Sequence, residues 1–122
     1  MLRRLKKVTL SARERKMLSE LANPHLPDRI SVEFVAPTAS LMFWGRRNGW
    51  LYTPGRAASK QLLVAEFLGH LLRHVHDQGN VAWPGPEDPR PRADSVGAGQ
   101  LRLEYEGSDG QALTVGLLDL DL

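Results

Sequence analysis

Cysteine is absent from this chain of 122 residues. Without thiols the protein can form no disulfide framework and no cysteine-ligated zinc or iron–sulfur site. Long apolar runs are also missing, since the longest of them, such as residues 62–65, contain four residues. A membrane-spanning helix needs roughly 20 apolar residues, and a secretory signal needs an apolar stretch after its cations, so neither is predicted. We therefore expect a cytoplasmic protein without a membrane partner.

The chain also has little net charge, but its charge is unevenly distributed. The formal net charge is +2, although residues 1–16 contain seven of the Lys and Arg residues and a single acid. A basic N-terminal arm over residues 1–10 would attract phosphate groups or an acidic protein surface. Its candidate binding residues are Arg3, Arg4, Lys6 and Lys7. The alternative is a solvated terminus that binds nothing.

Two stretches have the apolar spacing of helices. Ser11 and Glu14 form a capping box, which predicts the start of a helix. Asn23 precedes a proline and ends that helix, because the residue before proline avoids helical backbone angles. The second stretch spans residues 57–78, where apolar residues recur on one side, as expected for a helix that covers a sheet.

Five stretches are predicted as strands, from their alternation or from the turns between them. They are residues 29–35, 41–44, 50–53, 100–106 and 112–122. The alternation slips near Gly116, which predicts a bulge. Residues 80–99 contain four prolines and are predicted to be a loop. The order α-β-β-β-α-β-β predicts a single α+β domain over residues 1–122, with an antiparallel sheet of about five strands covered by two helices.

The turn of the first hairpin combines aromatic and basic residues. Trp44, Trp50 and Tyr52 flank a turn that contains Arg46 and Arg47. Aromatic rings stack on unpaired bases, guanidinium groups bind phosphate or carboxylate, and both kinds of residue are common at protein-interface hot spots. We predict that these five residues form a binding site. The alternative is that the rings are core residues and the arginines solubilise a turn, and alternation predicts that about half of the rings are buried.

The long helix carries three residues with a metal-ligand spacing. Glu66, His70 and His74 follow one another at intervals of four residues, which places them in a row on the helix. Arg73 and Asp77 share much of this side and have the spacing of an ion pair. We therefore predict a solvated helix face with no metal or other cofactor. His74 borders the apolar side and is expected to be the least exposed of the three.

The stretch Trp50-Leu-Tyr-Thr-Pro-Gly, followed by residues 63–74, resembles the strand and helix of small zinc metallopeptidases of the ImmA/IrrE type. Those proteins typically read Ala-His-Glu-Leu-Gly-His at this helix, and the resemblance covers at most residues 11–76. It places Glu66 where the family has its first zinc histidine and Phe67 where the family has its general base. Only His70 matches the second zinc histidine. Because Phe67 cannot accept a proton from a zinc-bound water, the resemblance implies a degenerate, non-catalytic relative.

Three functional hypotheses follow from these patterns. We favour a non-enzymatic binding module, such as a small regulator or inhibitor, that acts by protein–protein contact. The alternative is a nucleic-acid-binding protein that uses the basic arm and the arginine-tipped hairpin. The third is a degenerate protein of the metallopeptidase type. An edge strand such as residues 117–122 could also pair two copies into a homodimer.

Overall fold

The computed structural model describes residues 6–79, 83–85 and 88–121. Its elements in chain order are the helix α1 (Ala12–Ala22), a short 3-10 turn (Asn23–His25), the strands β1 (Ser31–Val35), β2 (Ser40–Trp44) and β3 (Gly49–Tyr52), the helix α2 (Lys60–Asp77), and the strands β4 (Arg90–Gly97), β5 (Gln100–Glu106) and β6 (Ala112–Asp119). The class is α+β, as predicted. Neither helix in these ranges is both long and apolar enough to span a membrane.

The prediction of one sheet with about five strands is wrong. Within the described residues, the strands form two separate antiparallel sheets of three strands each, a first sheet in the order β1-β2-β3 and a second sheet in the order β4-β5-β6. Alternation indicates that a strand has an apolar side, but it does not indicate which strands share a sheet. The sequence therefore predicted most of the strands without predicting how they are grouped.

The two helices lie between the two sheets. Helix α1 packs against β1 and β2 on one side and against β6 on the other. Helix α2 packs against β4 and β5, and its Phe67 and His74 contact the ring of Phe43 in β2. Each sheet therefore has an inner face that contributes to the core and an outer face that points away from both helices.

Strand β4 falls within residues 80–99, which the sequence predicted to be a loop. The prolines misled that prediction, because a proline removes a hydrogen-bond donor from a sheet. However, β4 is an edge strand, and Pro91 pairs with Tyr105 at a position where the backbone nitrogen points away from β5. The missing N–H therefore costs the sheet no hydrogen bond. The bulge predicted near Gly116 is confirmed, because the register of β6 against β5 shifts between Thr114 and Gly116.

One buried carboxylate joins both helices to the segment after β6. Glu14 is fully buried and forms the predicted capping box with Ser11, whose backbone N–H donates to Glu14 Oε1 at 2.7 Å. Lys60 Nζ and the Asp121 backbone N–H both donate to Glu14 Oε2 at 2.8 Å. Burial alone would raise the pKa of Glu14, but these hydrogen bonds outweigh it and lower the pKa below the ordinary value.

Candidate functional site

The inner face of the first hairpin is an aromatic cluster packed against α2. The ring centroid of Phe43 lies 4.7 Å from that of Trp50 and 5.5 Å from that of Tyr52. Phe43 and Tyr52 are buried, whereas Trp50 keeps 38% of its surface exposed. Tyr52, which the sequence predicted as a binding residue, therefore has its ring in the core. The hairpin's fourth ring, Trp44, lies on the opposite face and is exposed. Two of the four rings are therefore buried, as alternation predicted.

The hydroxyl group of Tyr52 is an exception to the usual pairing of buried polar atoms. It is buried and makes no hydrogen bond with the described residues. Burial and the nearby carboxylate of Glu66 raise the pKa of Tyr52 to about 12, although Arg15 acts in the opposite direction. The hydroxyl is therefore held in its neutral form at a position where none of the described residues bonds to it.

His74 ties the aromatic cluster together through both nitrogens of its ring. It is 2% exposed, and the indole Nε1 of Trp50 lies 2.9 Å from its Nδ1. Its Nε2 lies 3.0 Å from the carbonyl oxygen of Trp44. Because an indole N–H can only donate and a carbonyl can only accept, the arrangement selects the neutral tautomer with the proton on Nε2. The lone pair that a metal ion would need is thus already engaged by Trp50.

The other two candidate metal ligands form an exposed pair on α2. Glu66 Oε1 lies 3.8 Å from His70 Nε2, and their side chains are 56% and 38% exposed. Within the described ranges, the structure groups no three His, Asp or Glu side chains in a way that could hold a metal ion. The predicted row is therefore divided between an exposed pair and a core residue, His74.

The part of the first sheet's outer face that β2 and β3 form is apolar and exposed, whereas β1 adds Ser31 and Glu33 to that face. Met42 lies opposite Leu51, and Trp44 lies on the same face. The exposed fractions are 44% for Trp44 and 51% for Leu51. The indole of Trp44 donates to Glu33 Oε2 at 2.8 Å, which ties it to β1. It also covers Gly49, where an added Cβ would lie 2.7 Å from a ring carbon.

Sequence reasoning missed Leu51 and Met42 as members of this surface. The signal that could have found Leu51 is the alternation of β3, because Trp50 and Tyr52 cannot both face inward unless Leu51 faces outward. By the same rule, an inward-facing Phe43 predicts that Met42 faces outward.

The outer face of the second sheet is charged instead. Arg92 forms ion pairs with Glu106 and Asp94, and Arg102 lies 3.9 Å from Glu104. These charges alternate with the buried apolar residues of β4 and β5. The two outer faces therefore differ in degree, because ion pairs cover most of the second and leave a single exposed leucine, Leu117, among them, whereas the first groups Met42, Trp44 and Leu51 together.

The turn of the first hairpin is fixed in place by the end of α2. The carboxamide of Gln78 accepts from the Arg47 backbone N–H and donates to Asn48 Oδ1, both at 3.2 Å. The backbone N–H of Gly45 donates to the carbonyl of Asn48 at 2.8 Å and closes the turn. A Cβ at Gly45 would overlap the Gln78 carboxamide, so a larger residue there would displace that carboxamide from its hydrogen bonds to the turn. The turn therefore presents its arginines from a fixed backbone.

Both arginines of the turn have exposed side chains. Arg46 Nε makes one long contact, 3.4 Å, with the carbonyl oxygen of Asp28. The guanidinium of Arg47 makes no hydrogen bond or ion pair with the described residues. The turn thus offers positive charge beside the exposed apolar face, with an Arg47 guanidinium that pairs with none of the described residues.

The described part of the basic arm, residues 6–10, lies nearer the other end of β3. Its Lys6 and Lys7 are exposed and precede Val8, which pairs with Ala57 through hydrogen bonds of 2.8 and 3.0 Å. Ala57 follows the end of β3, whereas the arginines precede its start. The structure therefore does not bring these lysines together with the arginine turn. The remaining candidates, Arg3 and Arg4, lie outside the described residues.

Comparison with known proteins adds no assignment. No protein-family model, curated protein or solved structure matches this chain. The resemblance to ImmA/IrrE-type peptidases stays a prediction from the sequence.

Proposed function

We propose that this protein is a non-enzymatic binding module that acts by protein–protein contact, as a small regulator or inhibitor does. The binding surface is the outer face of the first sheet, with Trp44 and Leu51 at its centre and Arg46 and Arg47 beside it. The observation that carries this proposal is the contrast between the two outer faces. A sheet face that only meets water is expected to be mostly polar, as that of the second sheet is apart from Leu117, and a group of exposed apolar residues commonly marks an interaction site.

The energetics favour a partner that covers both apolar residues. Burying the exposed parts of Trp44 and Leu51 removes roughly 200 Å² of mostly apolar surface from water. At about 25 cal/mol per Å², this favours association by about 5 kcal/mol before the entropic cost of binding is subtracted. Trp and Arg are also the residue types most often found at interface hot spots. The guanidinium of Arg47, which pairs with no residue in the described ranges, favours a partner with an acidic group at the rim of the contact.

Site-specific cross-linking tests this proposal, because the chain offers a matched control. Leu51 and Leu117 are both large apolar residues, 51% and 47% exposed, and they lie on the outer faces of different sheets. A photoreactive phenylalanine at position 51 should form a discrete adduct with a protein partner in an extract of the source cells. The same group at position 117 should not. Equal adducts at both positions, or none at position 51, would contradict the proposal.

A second arm separates this proposal from the nucleic-acid alternative. Replacing both turn arginines by alanine, R46A together with R47A, should weaken the adduct at position 51 without preventing folding. Binding of labelled single- and double-stranded DNA is then measured at increasing salt concentration. Affinity that falls steeply with salt and depends on the same arginines would favour phosphate contacts and count against a protein partner.

A further inference from the structure

The edge strands of the two sheets differ in whether other residues of the chain block their outward backbone groups. An edge strand presents backbone N–H and C=O groups that can pair with another strand, and proteins usually block such edges. At β1 the block is the side chain of Asn23. Its Oδ1 accepts from the Val32 N–H at 2.8 Å, and its Nδ2 donates to the Val32 carbonyl at 2.9 Å. One carboxamide therefore occupies both outward-facing backbone groups of Val32.

Both edges of the second sheet also carry blocking groups. In β4, Pro91 has no outward N–H, and Gln61 Nε2 donates to the outward carbonyl of Ala93 at 2.6 Å. In β6, the register shift before Gly116 interrupts the edge. Arg13 Nη2 then donates to the carbonyl of Asp119 at 2.7 Å. These features make pairing along either edge unfavourable.

Strand β3 has no such block among the described residues. The hydrogen bond from the Gly45 N–H to the Asn48 carbonyl sets the register of β3 against β2. In this register the backbone N–H and C=O of Trp50 point toward β2. Gly49 and Leu51 then turn their N–H and C=O groups outward, because hydrogen-bonded and non-hydrogen-bonded pairs alternate. No side chain of the described residues bonds to either of them. The strand contains no proline and no charge.

We propose that β3 accepts an extended segment of the partner protein as a fourth strand of the first sheet. This inference rests on the proposed function, since the same partner would cover Trp44 and Leu51. With only two outward-facing residues, β3 provides few backbone hydrogen bonds. Side-chain contacts with the apolar face must therefore supply much of the affinity.

The charges around β3 indicate an acidic partner segment. Arg47 precedes the strand and Arg56 follows it, and neither guanidinium pairs with the described residues. The nearest acidic side chain on the outer face, Glu33, is bonded to Trp44. The acids of α2 lie on the inner side, where Asp77 lines a cavity together with Arg47 and Trp50 and the charge of Glu66 acts on Tyr52. A second copy of β3 would bring the same arginines to this edge, so an acidic segment of another protein fits better than a homodimer.

Two substitutions at one position isolate the backbone contribution. Leu51→Ser removes the apolar side chain and keeps the N–H, whereas Leu51→Pro also removes the N–H. Because this N–H points away from β2, proline should leave the hydrogen bonds of the first sheet intact. Circular dichroism and a thermal melt check the fold of both variants.

The probes are decapeptides selected from a random display library on the immobilised full chain. We expect acidic peptides with alternating apolar residues, whose affinity falls on Trp44→Ala. They should bind Leu51→Pro at least about tenfold more weakly than Leu51→Ser, since a lost hydrogen bond of about 1.4 kcal/mol corresponds to tenfold. N-methylation of peptide amides that face β3 should abolish binding, and methylation of the alternate amides should not. This last measurement holds even if Leu51→Pro does not fold.

The outcomes separate this inference from the proposed function. Peptides that depend on Trp44 but tolerate every N-methylation would overturn strand addition and leave the docking face in place. If every selected peptide is indifferent to Trp44→Ala and to both Leu51 variants, the docking face and strand addition are both contradicted.

Discussion

Two buried tyrosines should respond in opposite ways to the same substitution. Tyr105 is fully buried, and its hydroxyl donates to the Leu68 carbonyl at 2.6 Å. Tyr52 is 8% exposed, and its hydroxyl has no partner among the described residues. Tyr→Phe removes one oxygen atom in each case and leaves the ring in place. The comparison therefore measures the hydroxyl alone, with similar packing.

The expected magnitudes follow from these contacts. A buried hydrogen bond contributes about 1–1.5 kcal/mol, so Tyr105→Phe should lower the free energy of unfolding by that amount. Burying a hydroxyl without a partner costs about 1–3 kcal/mol, so Tyr52→Phe should leave the stability unchanged or raise it by about 1 kcal/mol. For a chain of this length, 1 kcal/mol corresponds to about 3–5 °C in Tm.

Urea unfolding followed by tryptophan fluorescence, with calorimetry as a second method, measures both changes. The pKa of Tyr52 is raised to about 12 in the folded protein, so ionisation of this hydroxyl does not affect stability below pH 10 and lowers the free energy of unfolding as the pH rises from 10 toward 12. Tyr52→Phe should therefore make the alkaline decline in stability shallower. A loss of 1 kcal/mol or more in Tyr52→Phe at neutral pH would refute the reasoning, because it would mean that the hydroxyl has a partner.

Three further predictions concern the polar contacts that hold the elements together. Glu14→Gln should cost about 3 kcal/mol at neutral pH, because it breaks a buried ion pair. The lowered pKa of Glu14 stabilises the fold above its ordinary pKa and ceases to do so as the pH falls through the lowered value. Acid unfolding of the variant should thus be less steep than that of the wild type, and parallel curves would contradict this. Gly45→Ala should destabilise the protein by about 1–3 kcal/mol through overlap with Gln78, and Gln78→Ala should relieve part of that loss in a double-mutant cycle. Asn23→Ala should cost about 1–2 kcal/mol and raise the rate of aggregation measured by light scattering, since it uncovers Val32; no change in either quantity would argue against the blocking role.

Local patterns in the sequence predicted much of the secondary structure. The capping box of Ser11 and Glu14 gave the start of α1, and clean alternation gave β5 with the observed bounds. The grouping of strands into two sheets could not be predicted in this way. Helix α2 is apolar over a wide arc, and Phe67 contacts the first sheet while the Leu68 carbonyl is bonded to Tyr105 of the second. Periodicity shows that such a helix is covered, but not by how many layers.

The candidate site was predicted in outline only. Alternation required about half of the hairpin rings to be buried, but it could not decide between Trp50 and Tyr52, which point to the same face. The two rings differ in exposure because of tertiary packing. Tyr52 packs near Phe67 of α2, whereas Trp50 lies at the end of β3 next to the turn and stays partly exposed. The contact of Gln78 with Arg47 joins residues 31 positions apart and has no local signature.

The carboxamide of Asn23 has a consequence for assembly. It takes the position of a neighbouring strand at Val32 and so interrupts pairing along β1, which makes β3 the edge where the first sheet is expected to lengthen. Open-ended stacking of copies requires two free edges on every subunit, and here growth would terminate after a single addition. The expected complexes are therefore of fixed stoichiometry, and a high local concentration of this protein should not by itself seed fibres through this sheet.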